Sequence, residues 1–132
     1  MGIESKYIKN ILELICDGDD EALFAKNQIY YLIENNIEYT GVGVFIDFKF
    51  ENEINNYKIK NNDLVIGGVN IISEKYKIDA LADLFFKNGI INYLEIWNQS
   101  GNNYPAHDID KYTLKQIWEG SPGKIVESED NN

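Results

Sequence analysis

The pair Asn88-Gly89, set between strongly apolar runs at 78–87 and 90–97, constrains this chain more than any other feature. Asn-Gly is the preferred pair for a two-residue type I′ turn, which needs positive φ at both central positions and joins twisted antiparallel strands without splaying them. A β-hairpin is expected, although Ile78, Leu81, Ala82, Phe85 and Phe86 also fall on one helical face. Counting outward from the turn sets Lys87 opposite Ile90, Phe86 opposite Ile91, Leu84 opposite Tyr93, Ala82 opposite Glu95 and Ala80 opposite Trp97. One surface then carries Ala80, Ala82, Leu84, Phe86, Ile91, Tyr93, Glu95 and Trp97, and the other Leu81, Asp83, Phe85, Ile90, Asn92, Leu94 and Ile96. Both are substantially apolar. Such a hairpin is either sandwiched or has one face under helices and the other toward a partner or a cavity.

Upstream, the hydrophobic period is helical. Ser5 suits an N-cap, and Ile8, Ile11, Leu12 and Ile15 follow on one face. Asp17-Gly18 interrupts the pattern. Asp19, Asp20 and Glu21 then open a second helix, where carboxylates suit the positive end of the helix dipole. Ala22, Ala25, Ile29, Leu32 and Ile33 form its inward stripe, and Asn35-Asn36 is its expected stop. After Tyr39 the period drops to that of a strand: Val42, Val44, Ile46, Phe48 and Phe50 alternate with Gly43, Phe45, Asp47 and Lys49. Residues 51–62 read as a loop with a strand edge at Tyr57-Lys58-Ile59, and 64–73 as a strand bent or bulged at Gly67-Gly68. A loop over 99–107, a last short strand through Tyr112, Leu114, Gln116 and Trp118, a turn at Ser121-Pro122-Gly123 and a frayed tail at 127–132 complete the reading. The expected architecture is a single α+β domain over 1–132, with an N-terminal helical hairpin packed on one face of a curved antiparallel sheet of four to five strands.

Charge narrows the functional classes. The 132 residues carry 22 Asp plus Glu against 12 Lys, with no Arg, for a net charge of −10. Nucleic-acid binding requires cations to displace counterions from phosphates, and anionic membranes attract basic segments, so both are poor expectations here. An acidic field instead favours a basic partner and speeds encounter with it. It also keeps a small protein soluble, which is the plain alternative. Residues 1–40 hold eight acids against three Lys and residues 105–132 six against three, whereas 41–78 balance at five and five. The surplus is therefore expected on the helices and the C-terminal segment, leaving the central sheet nearly neutral. The single cysteine, Cys16, ends an apolar stripe and is expected to be buried and inert. The segment 1–16 lacks a basic-then-apolar signal pattern, and no apolar run reaches the roughly 18 residues of a membrane span, so a cytoplasmic location is expected.

No motif for nucleophilic catalysis, phosphate cradling or zinc binding stands out, and no cofactor or metal is expected. The only imidazole, His107, follows Pro105 in a loop; with Asp108 or Asp110 it can do acid–base work, or it is a solvated loop residue. Glu95 is the most informative carboxylate. It lies mid-strand, flanked by Tyr93 and Trp97 and facing small Ala82 in the counted register. Three readings stay open: a pocket acid with a raised pKa, a charge offered to a basic partner among aromatic anchors, or a solvent-facing residue beside cross-strand packing. Asp47, between Phe45 and Lys49 on its own face, and Asp83 are weaker versions of the same case.

The stretch 84–97, followed by Gly101 and Tyr104-Pro105, resembles a hairpin of the small acidic immunity proteins that accompany bacterial polymorphic toxins. The resemblance covers about a quarter of the chain and carries no binding residue over by position. It implies a cytoplasmic, non-catalytic inhibitor that occludes a cognate toxin domain. Tyr93, Glu95 and Trp97, with Asp108 and Asp110 nearby in sequence, are then the expected recognition patch. Two other readings differ in class. In one, helices against a bent sheet enclose a cone-shaped pocket, as in folds resembling nuclear transport factor 2, with Asp47 and Glu95 lining it and His107 at the rim. In the other, the two-sided apolar hairpin pairs with a second copy as a homodimer.

Overall fold

The computed structural model describes residues 2–18 and 20–129. The first helix, α1 (Lys6–Ile15), forms as the spacing requires: Ser5 caps it, its hydroxyl accepting the Ile8 amide at 3.1 Å, and Tyr7, Ile8, Ile11, Leu12, Leu14 and Ile15 are buried. The expected second helix departs from the sequence reading. Its opening at Asp19 lies outside the described residues. Helix α2 (Asp20–Ala25) lasts only six residues before the chain tightens into a 3₁₀ turn, Lys26–Tyr31. Strand β1 (Leu32–Tyr39) then begins inside the segment read as helix, so there is no helical hairpin. Leu32-Ile33 closes the helical stripe in sequence, but in space these residues start an edge strand, and Asn35-Asn36 marks a bulge in it rather than a helix stop. Propensity yields here to the ladder that β2 offers.

Strands β2 (Gly43–Phe50), β3 (Val65–Ser73), β4 (Ile78–Lys87), β5 (Ile90–Asn98), β6 (Thr113–Gln116) and β7 (Ile125–Glu127) complete the sheet. Among the described residues it is a single antiparallel sheet of seven strands in the order β1-β2-β5-β4-β3-β6-β7, against the four to five expected. The two additions are β1, taken for helix, and β7, which at three residues is too short to show a period. The expected strand at Tyr57-Lys58-Ile59 is absent: a 3₁₀ turn, Asn52–Tyr57, occupies most of that region and drops Ile54 into the core. Of the expected frayed tail, Glu127 ends β7 and Ser128 is buried, while 130–132 lie outside the described residues. No described helix is long and apolar enough to cross a membrane.

The Asn88-Gly89 turn forms as expected, with φ of 54° and 78°. Its first two pairs, Lys87–Ile90 and Phe86–Ile91, match the counted register. The next pair does not. Phe85 faces Tyr93, so Asn92 is an extra residue on β5, and every later pair moves by one: Leu84 faces Leu94, Asp83 faces Glu95, Ala82 faces Ile96 and Leu81 faces Trp97. A bulge of this kind leaves one residue unpaired and exchanges the two faces of everything beyond it. The inner face of the hairpin is therefore Ala80, Ala82, Leu84, Phe86, Ile91, Leu94 and Ile96, all buried. Tyr93, Glu95 and Trp97 go to the outer face, correcting the register that placed Glu95 opposite Ala82.

Helix α1 packs across β3, β4 and β6 on that inner face. Ala80 and Ala82 keep the middle of the sheet low enough for the helix to approach, and Ile71, Leu84, Leu94 and Leu114 close around it without exposure. Two buried glutamines fasten the layers. Gln28 donates to the carbonyls of Tyr57 and Gly89 at 2.8 and 2.9 Å and accepts the Ile91 amide at 2.8 Å. Gln116 donates to the carbonyls of Leu14 and Asp17 at the end of α1, at 2.9 and 2.7 Å, and accepts the Lys124 amide at 3.0 Å.

Candidate partner-binding face

Helix α1 packs on the inner side of the sheet; on the outer side of the central strands Phe45, Leu81, Asp83, Phe85, Tyr93 and Glu95 are half-buried and Trp97 is exposed. Alternation along the strands decides what stands there. One cross-strand row reads Glu38, Phe45, Glu95, Asp83, Gly67 from β1 to β3. The row beside it reads Asn36, Asp47, Tyr93, Phe85, Val65, and the row on the other side Gly43, Trp97, Leu81, Asn70. The rings of Phe85 and Tyr93 stack with centroids 4.3 Å apart and 6° between planes, and Phe45 leans on Tyr93 at 6.3 Å. Asn36, Glu38, Phe45, Asp47 and Tyr93 line a shallow depression of about 230 Å³. Trp97 is 50% exposed and Val65 54%.

The electrostatics of this face are unbalanced. Asp83 and Glu95 sit directly opposite one another in neighbouring strands, an arrangement that is unfavourable for two like charges. Among the described residues, no ion pair reaches Glu38, Asp47, Asp79, Asp83 or Glu95. The lysines with the same facing, Lys49, Lys87 and Lys115, stand at the margins. Burial pushes the Asp83 carboxyl above its ordinary range. A side chain at position 67 would collide with that carboxylate, so Gly67 provides the room it occupies.

A raised carboxyl pKa means that the folded state holds its proton where the unfolded chain has lost it. Asp83 therefore costs stability as pH rises through the window between the two values, and this cost persists at neutral pH. Asp83→Asn removes the desolvated charge. Its melting temperature should exceed the parent's at pH 7, and the difference should shrink as pH falls below the carboxylate range. Scanning calorimetry at the two pH values checks this, and a lower melting temperature at pH 7 would refute the account of Asp83.

The other sequence-nominated residues lie elsewhere. Asp108 accepts a hydrogen bond from the Ser5 hydroxyl at 2.7 Å, at the N-terminus of α1. Asp110 accepts from the Tyr76 hydroxyl at 2.6 Å and pairs with Lys75 at 3.2 Å, which together hold its carboxyl below the usual range. His107 is exposed, packs edge-on against Tyr76 and sits with Nδ1 2.7 Å from the Asp108 carbonyl. That oxygen can only accept, so Nδ1 carries the proton. Asp47 and Glu95 are on the outer face and His107 is on the helix side, so the structure does not bring these three into one pocket.

A recess of about 320 Å³ does exist on the helix side, between α1, β1, β2 and the loop at 104–108. His107 and Asp108 are at its wall, with Glu4, Glu34, Tyr39 and Tyr104. Sequence reasoning missed Glu34, whose carboxyl is raised by burial, because the segment was read as helix. Its carboxylate accepts backbone hydrogen bonds from Glu4 and Ser5, so it serves, like Asp108, to anchor the start of α1.

No family model matches the chain, and no curated protein or solved structure shows significant similarity to it.

Proposed function

We propose that this chain is a non-catalytic acidic binding protein, an immunity-type inhibitor that acts in the cytoplasm by covering the functional surface of a basic toxin domain with the outer face of its sheet. The observation that carries this reading is the outer face itself: among the described residues, five carboxylates without an ion-pair partner, set among Phe45, Leu81, Phe85, Tyr93 and Trp97 of the central strands. Desolvated aromatic anchors surrounded by charge of one sign are what a high-affinity interface with an oppositely charged partner needs. Asp83 and Glu95 face one another across neighbouring strands, so a cation supplied from outside meets both carboxylates.

Tyr93, Glu95 and Trp97 belong to this surface. Asp108 and Asp110 do not, because the helix N-terminus and Lys75 already engage them. The surplus of acid also bears on self-association. Two copies placed face to face set carboxylates against carboxylates, which disfavours a homodimer through this surface.

The test is direct binding to the product of the adjacent open reading frame by titration calorimetry. Glu95→Lys should weaken that complex at least 100-fold without lowering the melting temperature, since Glu95 is partly solvated, has no ion-pair partner among the described residues, and a lysine in its place faces Asp83. Affinity within threefold of the parent's would remove this face from consideration.

A further inference from the structure

Resting on that reading, we infer that the outer face is built to seat an arginine of the partner, its guanidinium lying on Trp97 and paired with Glu95. The argument begins with what stands on either side of Trp97. In β4 its neighbour is Leu81; in β2 it is Gly43. No larger residue fits at 43, because a side chain built there would run into the Ile96 carbonyl of β5. The β2 residue in register with Trp97 therefore places no side chain over the indole, which is half exposed near the end of β5, the third strand of the sheet. An uncovered indole on a stiff strand is an open face for a cation, and Trp is the best of the aromatic side chains for this purpose.

The carboxylate that completes the seat is two residues away. Glu95 and Trp97 point to the same side of β5, about 6.5–7 Å apart along the strand. That spacing lets one flat group lie against the indole while its edge reaches a carboxylate oxygen. Asp83, facing Glu95 from β4, adds a second acceptor, and Phe45 borders Glu95 on the β2 side. A guanidinium meets these demands together: it is planar, it stacks on rings, it bonds two carboxylate oxygens in parallel and it gives up its hydration more readily than an ammonium does. A lysine satisfies the charge but not the stacking. The chain has no arginine of its own, so no internal residue competes for the seat.

The probes are acetylated, amidated tetra-arginine and tetra-lysine peptides, titrated into the isotopically labelled protein and followed by nuclear magnetic resonance. The expected result is a shift of the Trp97 indole N–H signal with tetra-arginine, and affinity at least fivefold tighter than for tetra-lysine. In Trp97→Ala the ratio of the two affinities, read from backbone signals of β4 and β5, should fall to about one. If the wild-type protein binds both peptides equally on this face, or the ratio survives in Trp97→Ala, the arginine seat is overturned and the acidic docking face stands. If neither peptide perturbs β4 or β5, the docking reading falls as well.

Discussion

Inserting one alanine between Tyr93 and Leu94 should abolish cooperative unfolding, whereas deleting Asn92 should leave a cooperative transition. The two changes separate the register of β5 from the bulge itself. Asn92 is exposed and is the extra residue of β5, so its deletion sets Phe85–Tyr93 and Leu84–Leu94 directly after Phe86–Ile91 and every side chain keeps its face. The insertion instead puts the new residue in the place of Leu94 and rotates Leu94 and Ile96, now 0% and 1% exposed, to the outer face. Each loses about 1.5–3 kcal/mol of burial. Glu95 and Trp97 would turn toward α1 in exchange, carrying an unpaired carboxylate into the core at a cost of several kcal/mol more. The total matches the whole stability of a typical domain, about 5–15 kcal/mol. Escape by slipping β5 is blocked on its other side, where β2 pairs with it from Gly43–Trp97 to Asp47–Tyr93. Circular dichroism during urea unfolding checks both variants; a sigmoidal transition in the insertion would show that the register of β5 does not decide the face.

Gln28→Leu should lose about 2–4 kcal/mol, a large effect for a polar side chain. Gln28 is fully buried. Removing its amide strands the Tyr57 carbonyl and the Ile91 amide without partners, while the Gly89 carbonyl keeps the Ile59 amide at 3.0 Å. Two orphaned backbone groups at about 1–3 kcal/mol each set the range. Gln28→Glu sharpens the test. At pH 7 it should be at least as damaging, because a buried carboxylate accepts from Ile91 but repels two carbonyl oxygens. On acidification it should recover part of the loss, since the protonated acid again has an O–H to donate. Its folded pKa is raised, so the recovery grows as pH falls through that value. Equal stability of Gln28→Leu and the parent in guanidinium titrations would show that these bonds add nothing to the fold.

The sequence carried the local geometry well and the assignment of faces badly, for reasons visible in single residues. Asn88-Gly89 advertises its turn because positive φ is a demand few residues meet. Ser5 advertises the start of α1, and Gly67-Gly68 the irregularity in β3, where the register shifts between Gly67 and Val69. Nothing advertises Asn92. A bulge costs one residue and carries no signature, yet it reassigns every side chain after it. The linear count of charge misled for a related reason: the segment 41–78 is balanced, but strand pairing draws Asp47 together with Glu38, Asp83 and Glu95 on one side and leaves lysines at the edges. Tyr93, Glu95 and Trp97 were legible as a group because they share a parity. Phe45, Asp83 and Phe85 join them only through register, which sequence alone does not fix. Gln28 and Gln116 gave no signal at all, since their partners are backbone atoms far along the chain.

The bulged outer strand has a consequence for the manner of recognition. β1 kinks between Glu34 and Asn36 and carries Glu34 and Glu38, and the opposite boundary, β7, offers three residues. Kinks, charge and brevity are how sheets refuse to be lengthened by a foreign strand. An extended, flexible tail therefore has little ladder to join. Under the proposed reading, what is left for a partner is the plane of the central strands, which suits a folded counterpart whose own surface is already in shape before the two meet.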